Sequence, residues 1–126
     1  MNLINLFTKG FNIDPYKMFD LVAHGDCTKL KKPSPEIYEW ALQKLQLPSE
    51  ACIAIEDSPR GLESSNNAKV KTIITPSKLT LDEDFKNAKL VISNLGEPDK
   101  PFKIISGKAY SHDYVCFDLL KMVSEN

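Results

Sequence analysis

The sequence predicts an α/β fold in which parallel strands are flanked by helices. Short apolar runs alternate along the chain with longer amphipathic ones, which is typical of repeated strand–helix units. The run ACIAI at residues 51–55 has no polar alternation, as expected for a strand buried on both faces of a parallel sheet. Two Ser-Pro pairs, at residues 34–35 and 58–59, each predict the start of a helix.

The N-terminal third is expected to contain two helices and one strand. Residues 2–9 (NLINLFTK) carry apolar residues on one side of a helix, and residues 18–24 (MFDLVAH) predict a strand that leads into a loop. The next helix is predicted to begin at Ser34. Serine suits the capping position, and Pro35 suits the first helical position. Apolar residues then recur at helical spacing until Pro48 ends the helix.

The later elements follow the same alternation. After the ACIAI strand, Ser58 caps a helix that runs to about Ala68, and residues 70–75 (VKTIIT) form the next strand. The remainder is predicted as a short helix over 81–88, a short strand over 90–92, a loop over 94–107 and a terminal helix over 113–123.

Composition limits the chain to one soluble domain. It has 126 residues, 42% of them hydrophobic and 26% charged, with a formal net charge of −1. That balance gives no basic surface for nucleic acid or an anionic membrane. No apolar stretch approaches the ~20 residues that span a bilayer, and no signal peptide is recognisable. The three cysteines form no C-x-x-C pair, so we expect reduced thiols and a cytoplasmic location.

Two groups of polar residues are expected beyond the carboxyl ends of strands, where open α/β sheets bind ligands. Glu56 and Asp57 leave a predicted buried strand and together suit Mg²⁺, while the helix after Ser58 points free N–H groups at the same crevice. Lys32 stands just before a helix start, where it would meet an anion. The residues alone leave two structural alternatives open. In one, Glu56 and Asp57 form only the polar end of a strand beside a capping residue; in the other, the loop lysines form only a solvated run of charges.

Two linked motifs carry a resemblance to a known family. The segment KKPSPEIYEWALQKLQL has the pattern K-P-x-P-x-x-Y/F, and ACIAIEDSPRGLESSNNA has E-D-S-x-x-G about 24 residues later. Both resemble motifs three and four of haloacid dehalogenase-like hydrolases, in the branch with phosphoglycolate phosphatase, β-phosphoglucomutase and CbbY-like phosphatases. The segment TPSKLTLDEDFKNAKLVISNLGEPD also resembles the CbbY-like branch, so the likeness covers roughly residues 15–100.

The resemblance implies roles for particular residues. Lys32 matches the lysine that holds the transferring phosphoryl group, and Asp57 matches the carboxylate that ligates Mg²⁺, with Glu56 as its acidic neighbour. Ser58 and Gly61 complete the second motif as supporting positions. The implied activity is that of a Mg²⁺-dependent phosphatase acting on a phosphorylated small molecule such as a sugar phosphate.

The family's first motif, D-x-D-G-T/S, has no counterpart. It supplies the aspartate nucleophile, and the one D-x-D match, at residues 82–84, is predicted on a helix downstream of both other motifs. We therefore expect residues 1–126 to be the C-terminal part of a Rossmann-like core, with a helical tail over 108–126, that lacks the first two motif strands and the cap domain. Such a chain is expected to be inactive alone.

Three alternatives for function and partners stay open. The chain is a phosphatase fragment, a fragment of a β-phosphoglucomutase-like mutase, or a non-catalytic domain that binds a partner. Exposed strand edges predict a homodimer, a domain swap or a separately supplied N-terminal half. Smaller departures from the family are Lys69, where glycine is usual, and Ser64 and Ser65, where alanines are usual.

Overall fold

The structure is a computed structural model that describes residues 15–126, so the helix predicted over 2–9 lies outside the described residues. A four-stranded sheet carries helices on both faces. Its strands are β1 (Ile53–Glu56), β2 (Lys71–Ile74), β3 (Leu90–Ile92) and β4 (Ile104–Gly107). The helices are α1 (Pro15–Met18), α2 (Glu36–Leu45), α3 (Pro59–Asn67) and α4 (Phe117–Glu125). Single 3₁₀ turns occur at Gly25–Cys27 and Ser49–Ala51.

The sheet has the order β1-β2-β3-β4, in which the first three strands are parallel and β4 is antiparallel to β3. Helix α3 forms the crossover between β1 and β2, as parallel neighbours require. This confirms the α/β class and the Rossmann-like arrangement of parallel strands with flanking helices. β1 and β4 are the two edge strands of the described sheet.

Alternating side chains of the central strands build a separate core on each face. On one face Ile73, Leu90 and Ile92 pack against Leu119 and Val123 of α4, and all five are essentially buried. On the other face, Ile74 and Val91, the next residues along the same strands, pack with Leu62 of α3 and with Phe85. A smaller cluster under α2 consists of Ala54, Ala68 and Val70.

Both Ser-Pro pairs lie at the start of a helix, but only the second is arranged as predicted. Ser58 has an extended backbone, and its Oγ accepts a hydrogen bond from the Gly61 N–H at 3.2 Å, which caps α3. At α2 the Ser34 Oγ accepts from the Glu36 N–H at 3.3 Å, and Pro35 takes the position just before the first helical residue. A side-chain cap therefore sets the start of α3, whereas at α2 Pro35 takes the capping position and no side chain caps the helix, so the predicted Ser34 cap is wrong.

The strand predicted over 18–24 is wrong. Helix α1 ends at Met18, and the following residues have no strand partner. A strand is stable only where a neighbour accepts and donates its backbone hydrogen bonds. In the described sheet the edge strand β1 pairs only with β2, and the apolar run at 18–24 remains irregular.

Two further predictions near the C-terminus are also wrong. Residues 81–88 form turns, because the Asp84 carboxylate accepts from the Lys86 N–H at 2.8 Å and so competes with helical hydrogen bonds. Residues 104–107, predicted as loop, form β4, whose β-branched Ile104 and Ile105 extend along β3. The glycines and prolines that suggested a loop all lie outside this strand or at its end.

β1 is less enclosed than its uniformly apolar sequence predicts. Ala54 is buried, but Ile55 is 45% exposed, because no strand covers the outer edge of β1 in the described sheet. The expectation of burial on both faces therefore fails at this edge.

Lys69 adopts a left-handed backbone with φ of 61°, directly after α3. An L-residue with a Cβ pays about 1 kcal/mol or more there, whereas glycine does not. We expect Lys69→Gly to raise the free energy of unfolding by roughly 1 kcal/mol in urea titrations. Lys86→Gly is the matched control, because Lys86 is exposed and outside the left-handed region; an equal gain in both variants would contradict this account.

Candidate active site

The candidate site lies at the carboxyl end of β1. Glu56 ends the strand, Asp57 and Ser58 follow it, and α3 begins immediately afterwards with Pro59 at its first position. The strand and the helix thus meet at a crevice, with uncapped backbone N–H groups of the first turn of α3 facing it. Glu56 and Asp57 thus lie beyond the carboxyl end of a strand, as predicted, whereas the loop of Lys32 does not follow a strand, because the one predicted over 18–24 does not form.

Three hydrogen bonds hold the loop before α2 against this crevice. The Glu36 carboxylate accepts from the Leu30 N–H at 2.7 Å, and the Ser64 hydroxyl donates to the Ser34 carbonyl at 2.6 Å. The Arg60 guanidinium donates to the Lys32 carbonyl. The loop is therefore tied to the first turn of α2 and to the body of α3, which fixes the backbone of Lys32.

Lys32, Tyr38 and Glu56 form one cluster. The Lys32 ammonium makes an ion pair with the Glu56 Oε1, and the Tyr38 hydroxyl donates to the same oxygen. The Lys32 Nζ also lies 5.7 Å from the centre of the Tyr38 ring. The Glu56 side chain is 8% exposed whereas that of Lys32 is 41% exposed, so the lysine alone of this ion pair still reaches solvent.

The pKa of Tyr38 is raised well above its usual range. Burial is the main cause, and the hydrogen bond to Glu56 and the negative charge of that carboxylate raise it further. The phenol therefore stays protonated at every physiological pH, and it donates its hydrogen bond to Glu56 without competing ionisation.

Gly61 makes room for the buried carboxylate. A Cβ added at this position would lie 2.5 Å from the Glu56 Cδ, closer than real atoms pack. Glycine inside a helix lowers helix propensity unless another group must approach the backbone closely, and here that group is the Glu56 carboxylate.

Asp57 differs from its neighbour in exposure and in partners. Its side chain is exposed, and its carboxylate accepts no hydrogen bond from any described residue. Its backbone carbonyl accepts from the Thr80 hydroxyl at 2.6 Å, which fixes the strand end. A free carboxylate at a fixed position fits Mg²⁺, which takes one or two protein carboxylates and keeps several waters.

Residues 15–126 contain no cluster of three or more His, Cys, Asp or Glu side chains that would bind a metal by itself. Any ion at Asp57 would therefore need further oxygen ligands from water, from a phosphate or from residues outside this part of the chain. The donor chemistry fits magnesium better than zinc, because no sulfur or imidazole joins the two carboxylates.

A cavity of about 430 Å³ opens beside Lys32 and is lined in part by His24, Leu30, Lys31 and Ile37. His24 lies 3.8 Å from Asp26, and both side chains are largely exposed. Lys31 turns away from β1 and donates to the Gly25 carbonyl. Lys32 is thus the one lysine of the KLKK run that pairs with Glu56, which the sequence pattern singled out.

Sequence reasoning missed Tyr38, Arg60 and Thr80. Tyr38 occupies the aromatic position of K-P-x-P-x-x-Y/F and faces back toward Lys32 from the first turn of α2, yet an aromatic residue at helical spacing has the pattern of a packing residue. Arg60 sits at a variable position of E-D-S-x-x-G, so the motif gave no signal for it. Thr80 lies in a later turn, and only the fold brings it to the end of β1.

Comparison with known proteins assigns the family. Residues 4–75, more than half of the chain, match the family described as haloacid dehalogenase-like hydrolase. The chain belongs to this family. Protein CbbY from Rhodobacter capsulatus is 39% identical over 94 residues, which cover 75% of this chain and 41% of that protein. The phosphorylated carbohydrates phosphatase of Thermotoga maritima is 38% identical over 61 residues, or 48% of this chain and 28% of that protein.

Solved structures agree with this assignment. A mutant of CbbY from Rhodobacter sphaeroides in complex with xylulose-(1,5)bisphosphate superimposes with a TM-score of 0.71 at 35% identity, covering 74% of this chain and 41% of that one. The chain therefore spans about two-fifths of the length of the CbbY proteins it matches. The resemblance to the CbbY-like branch, predicted from the two motifs and the segment that follows them, is confirmed.

None of the helices formed by residues 15–126 is long and apolar enough to cross a membrane. Cys27, Cys52 and Cys116 are all free thiols, as the absence of a paired pattern predicted. Burial raises the pKa of the Cys52 thiol.

Gly61→Ala tests the packing of Glu56. Alanine in a helix usually stabilises relative to glycine, but here the added methyl group displaces the Glu56 carboxylate from Lys32 and Tyr38. We expect the free energy of unfolding to fall by about 1–3 kcal/mol, measured by urea denaturation. Glu63→Ala, at an exposed position of the same helix, should change it by no more than roughly 0.5 kcal/mol; a stabilised Gly61→Ala would refute the close packing.

Proposed function

We propose that this chain supplies the lysine and carboxylate part of a Mg²⁺-dependent phosphomonoester phosphatase that acts on sugar phosphates. The observation that carries the proposal is the meeting of Lys32 with the Glu56–Asp57 strand end beside the N-terminus of α3. A positive side chain, an acidic pair and free helix N–H groups at one crevice suit a phosphoryl group with a divalent ion.

The chemistry requires these groups because phosphoryl transfer depends on positioning and on neutralising charge at the phosphoryl oxygens. Lys32 would hold one of those oxygens through its ammonium group, since its side chain still reaches solvent. Ser58 and Gly61 would act indirectly, by capping α3 and by admitting the Glu56 carboxylate.

For magnesium we propose Asp57 as the direct ligand and Glu56 as its acidic neighbour. Asp57 is exposed and unengaged by the described residues, whereas both donors near Glu56 already use one of its oxygens. When bound, the ion would act as a Lewis acid that offsets negative charge on the phosphoryl group. Glu56 would add negative charge nearby and hold Lys32 in place.

The substrate class follows from the relatives. One is a phosphatase of phosphorylated carbohydrates, and another was solved with a sugar bisphosphate. We extend this class to the present chain because its two motifs and its fold match theirs. Choice among sugar phosphates would depend on a cap domain, which the matched segments here do not include.

We also propose that the 126 residues alone hydrolyse no phosphate ester at a useful rate. Phosphate-monoester hydrolysis needs acceleration of up to about 10²¹-fold, and the family achieves it through an aspartate nucleophile. The sequence has no D-x-D-G-T/S, and its Asp82–Asp84 segment lies in an exposed turn. A non-catalytic binding domain is the second candidate, favoured by that same lack of a nucleophile motif.

Joining this chain to the N-terminal segment of R. capsulatus CbbY tests the proposal. The chimera should hydrolyse p-nitrophenyl phosphate only with Mg²⁺, while the 126-residue chain should not. Lys32→Ala in the chimera should lower kcat by about 10²–10³-fold, because it removes a charge that stabilises the transition state.

Lys29→Ala is the matched control, since Lys29 is an exposed lysine of the same loop and should leave kcat unchanged. Turnover by the isolated chain would refute its inactivity. A folded chimera that remains inactive would favour the non-catalytic candidate.

We propose that the outer edge of β1 pairs with another strand, supplied in the isolated chain by a second copy. An unpaired edge beside the exposed Ile55 is a template for association. Light scattering at micromolar concentration should give twice 14.2 kDa. Ile55→Lys should shift the chain to monomer, whereas Leu79→Lys, at a side chain 92% exposed in a loop, should not. A monomeric wild-type chain would contradict the proposal.

A further inference from the structure

Two donors share one oxygen of Glu56. The Lys32 ammonium and the Tyr38 hydroxyl both bond to Oε1, and the other side of the carboxylate faces Gly61. In the proposed function, however, Lys32 must also hold a phosphoryl oxygen. The same ammonium group would therefore serve a buried carboxylate and an incoming ligand.

When Lys32 turns toward a ligand, Glu56 loses one of its two side-chain donors. Its carboxylate is almost fully buried, so water cannot replace a donor that turns away, and a buried carboxylate without donors is costly. Among the described residues, Tyr38 supplies the only side-chain hydrogen bond to Glu56 besides that of Lys32. Its hydroxyl is carried by α2 and not by the loop of Lys32, so it stays in place when Lys32 moves.

We infer that Tyr38 is a positioning residue: its hydroxyl keeps Glu56 hydrogen-bonded while Lys32 engages the phosphoryl group. This inference rests on the proposed function. Without the hydroxyl, Glu56 depends on Lys32 alone, and drawing the ammonium toward a phosphate then leaves a buried charge short of donors. The tyrosine thus makes the lysine available to ligand, although it touches no ligand itself.

The geometry separates the hydroxyl from the ring. The ring face lies 5.7 Å from the Lys32 Nζ and contributes a cation–π contact, and the ring also packs against the cluster under α2. Tyr38→Phe keeps both of these interactions and removes only the hydrogen bond to Glu56. The substitution therefore isolates the proposed role.

Titration of the 126-residue chain with inorganic phosphate in the presence of Mg²⁺ provides the test. The chemical shift of the Lys32 ε-methylene group reports whether the lysine meets phosphate. We expect Tyr38→Phe to raise the phosphate Kd about tenfold, as expected when a buried acceptor loses a donor. Tyr114→Phe, which removes the hydroxyl of a tyrosine in the loop before α4, should leave the Kd unchanged.

A second comparison shows whether the effect acts through the Glu56 charge. In a Glu56→Gln background the side chain is neutral, so adding Tyr38→Phe should change the phosphate Kd less than twofold. Because this double variant lacks the buried charge, its phosphate Kd can be measured even if Tyr38→Phe alone does not fold. A purely structural role for Tyr38 would move the Kd in both backgrounds.

The outcomes distinguish the two proposals. If the Lys32 chemical shift of the wild type does not respond to phosphate, the proposed function fails. It also fails if other residues report that Lys32→Ala binds phosphate as tightly as the wild type does. If wild type binds through Lys32 and Tyr38→Phe binds equally well, or the effect persists undiminished in the Glu56→Gln background, the role of Tyr38 is overturned.

Discussion

A buried carboxylate at the end of β1 is the constraint on which the site depends. The Glu56 side chain is almost fully buried, and the free-energy cost of burying its charge without a partner would be very high. Lys32 and Tyr38 come from the loop and helix before β1, and Gly61 comes from the helix after it. Satisfying one charge therefore fixes the relative placement of three elements, and the lysine becomes fixed beside the strand end for this reason.

The hydroxyl groups of α3 support the same arrangement. Ser64 and Ser65 stand where the family usually has alanine, yet both are fully buried and hydrogen-bonded. Ser64 donates to the loop that carries Lys32, and Ser65 shares a 2.6 Å hydrogen bond with Thr72 of β2. Alanines would pack in the same space without these bonds. The serines thus add polar links between helix, loop and sheet instead of weakening the packing.

Local signals predicted the fold class and the motif residues, and long-range contacts explain what was missed. The helix starts after the two Ser-Pro pairs, the cap at Ser58 and the apolar strands depend on neighbouring residues, so the sequence shows them directly. The strand predicted over 18–24 failed because strand formation needs a neighbour elsewhere in the chain. Tyr38 escaped notice because its hydrogen bond to Glu56 spans 18 residues, and an aromatic residue on an apolar helix face has the same pattern as packing.

Strand geometry explains why two adjacent carboxylates serve different purposes. Successive side chains of a strand point to opposite faces, so neighbours at its end experience different surroundings. Glu56 turns inward under α3 and becomes the partner of Lys32, while Asp57 turns outward and keeps a free carboxylate. Exchanging the two residue types would shorten the inward arm by one methylene and lengthen the outward one. The order Glu-Asp thus matches a longer reach toward Tyr38 and Lys32 with a shorter, more rigid carboxylate at the crevice.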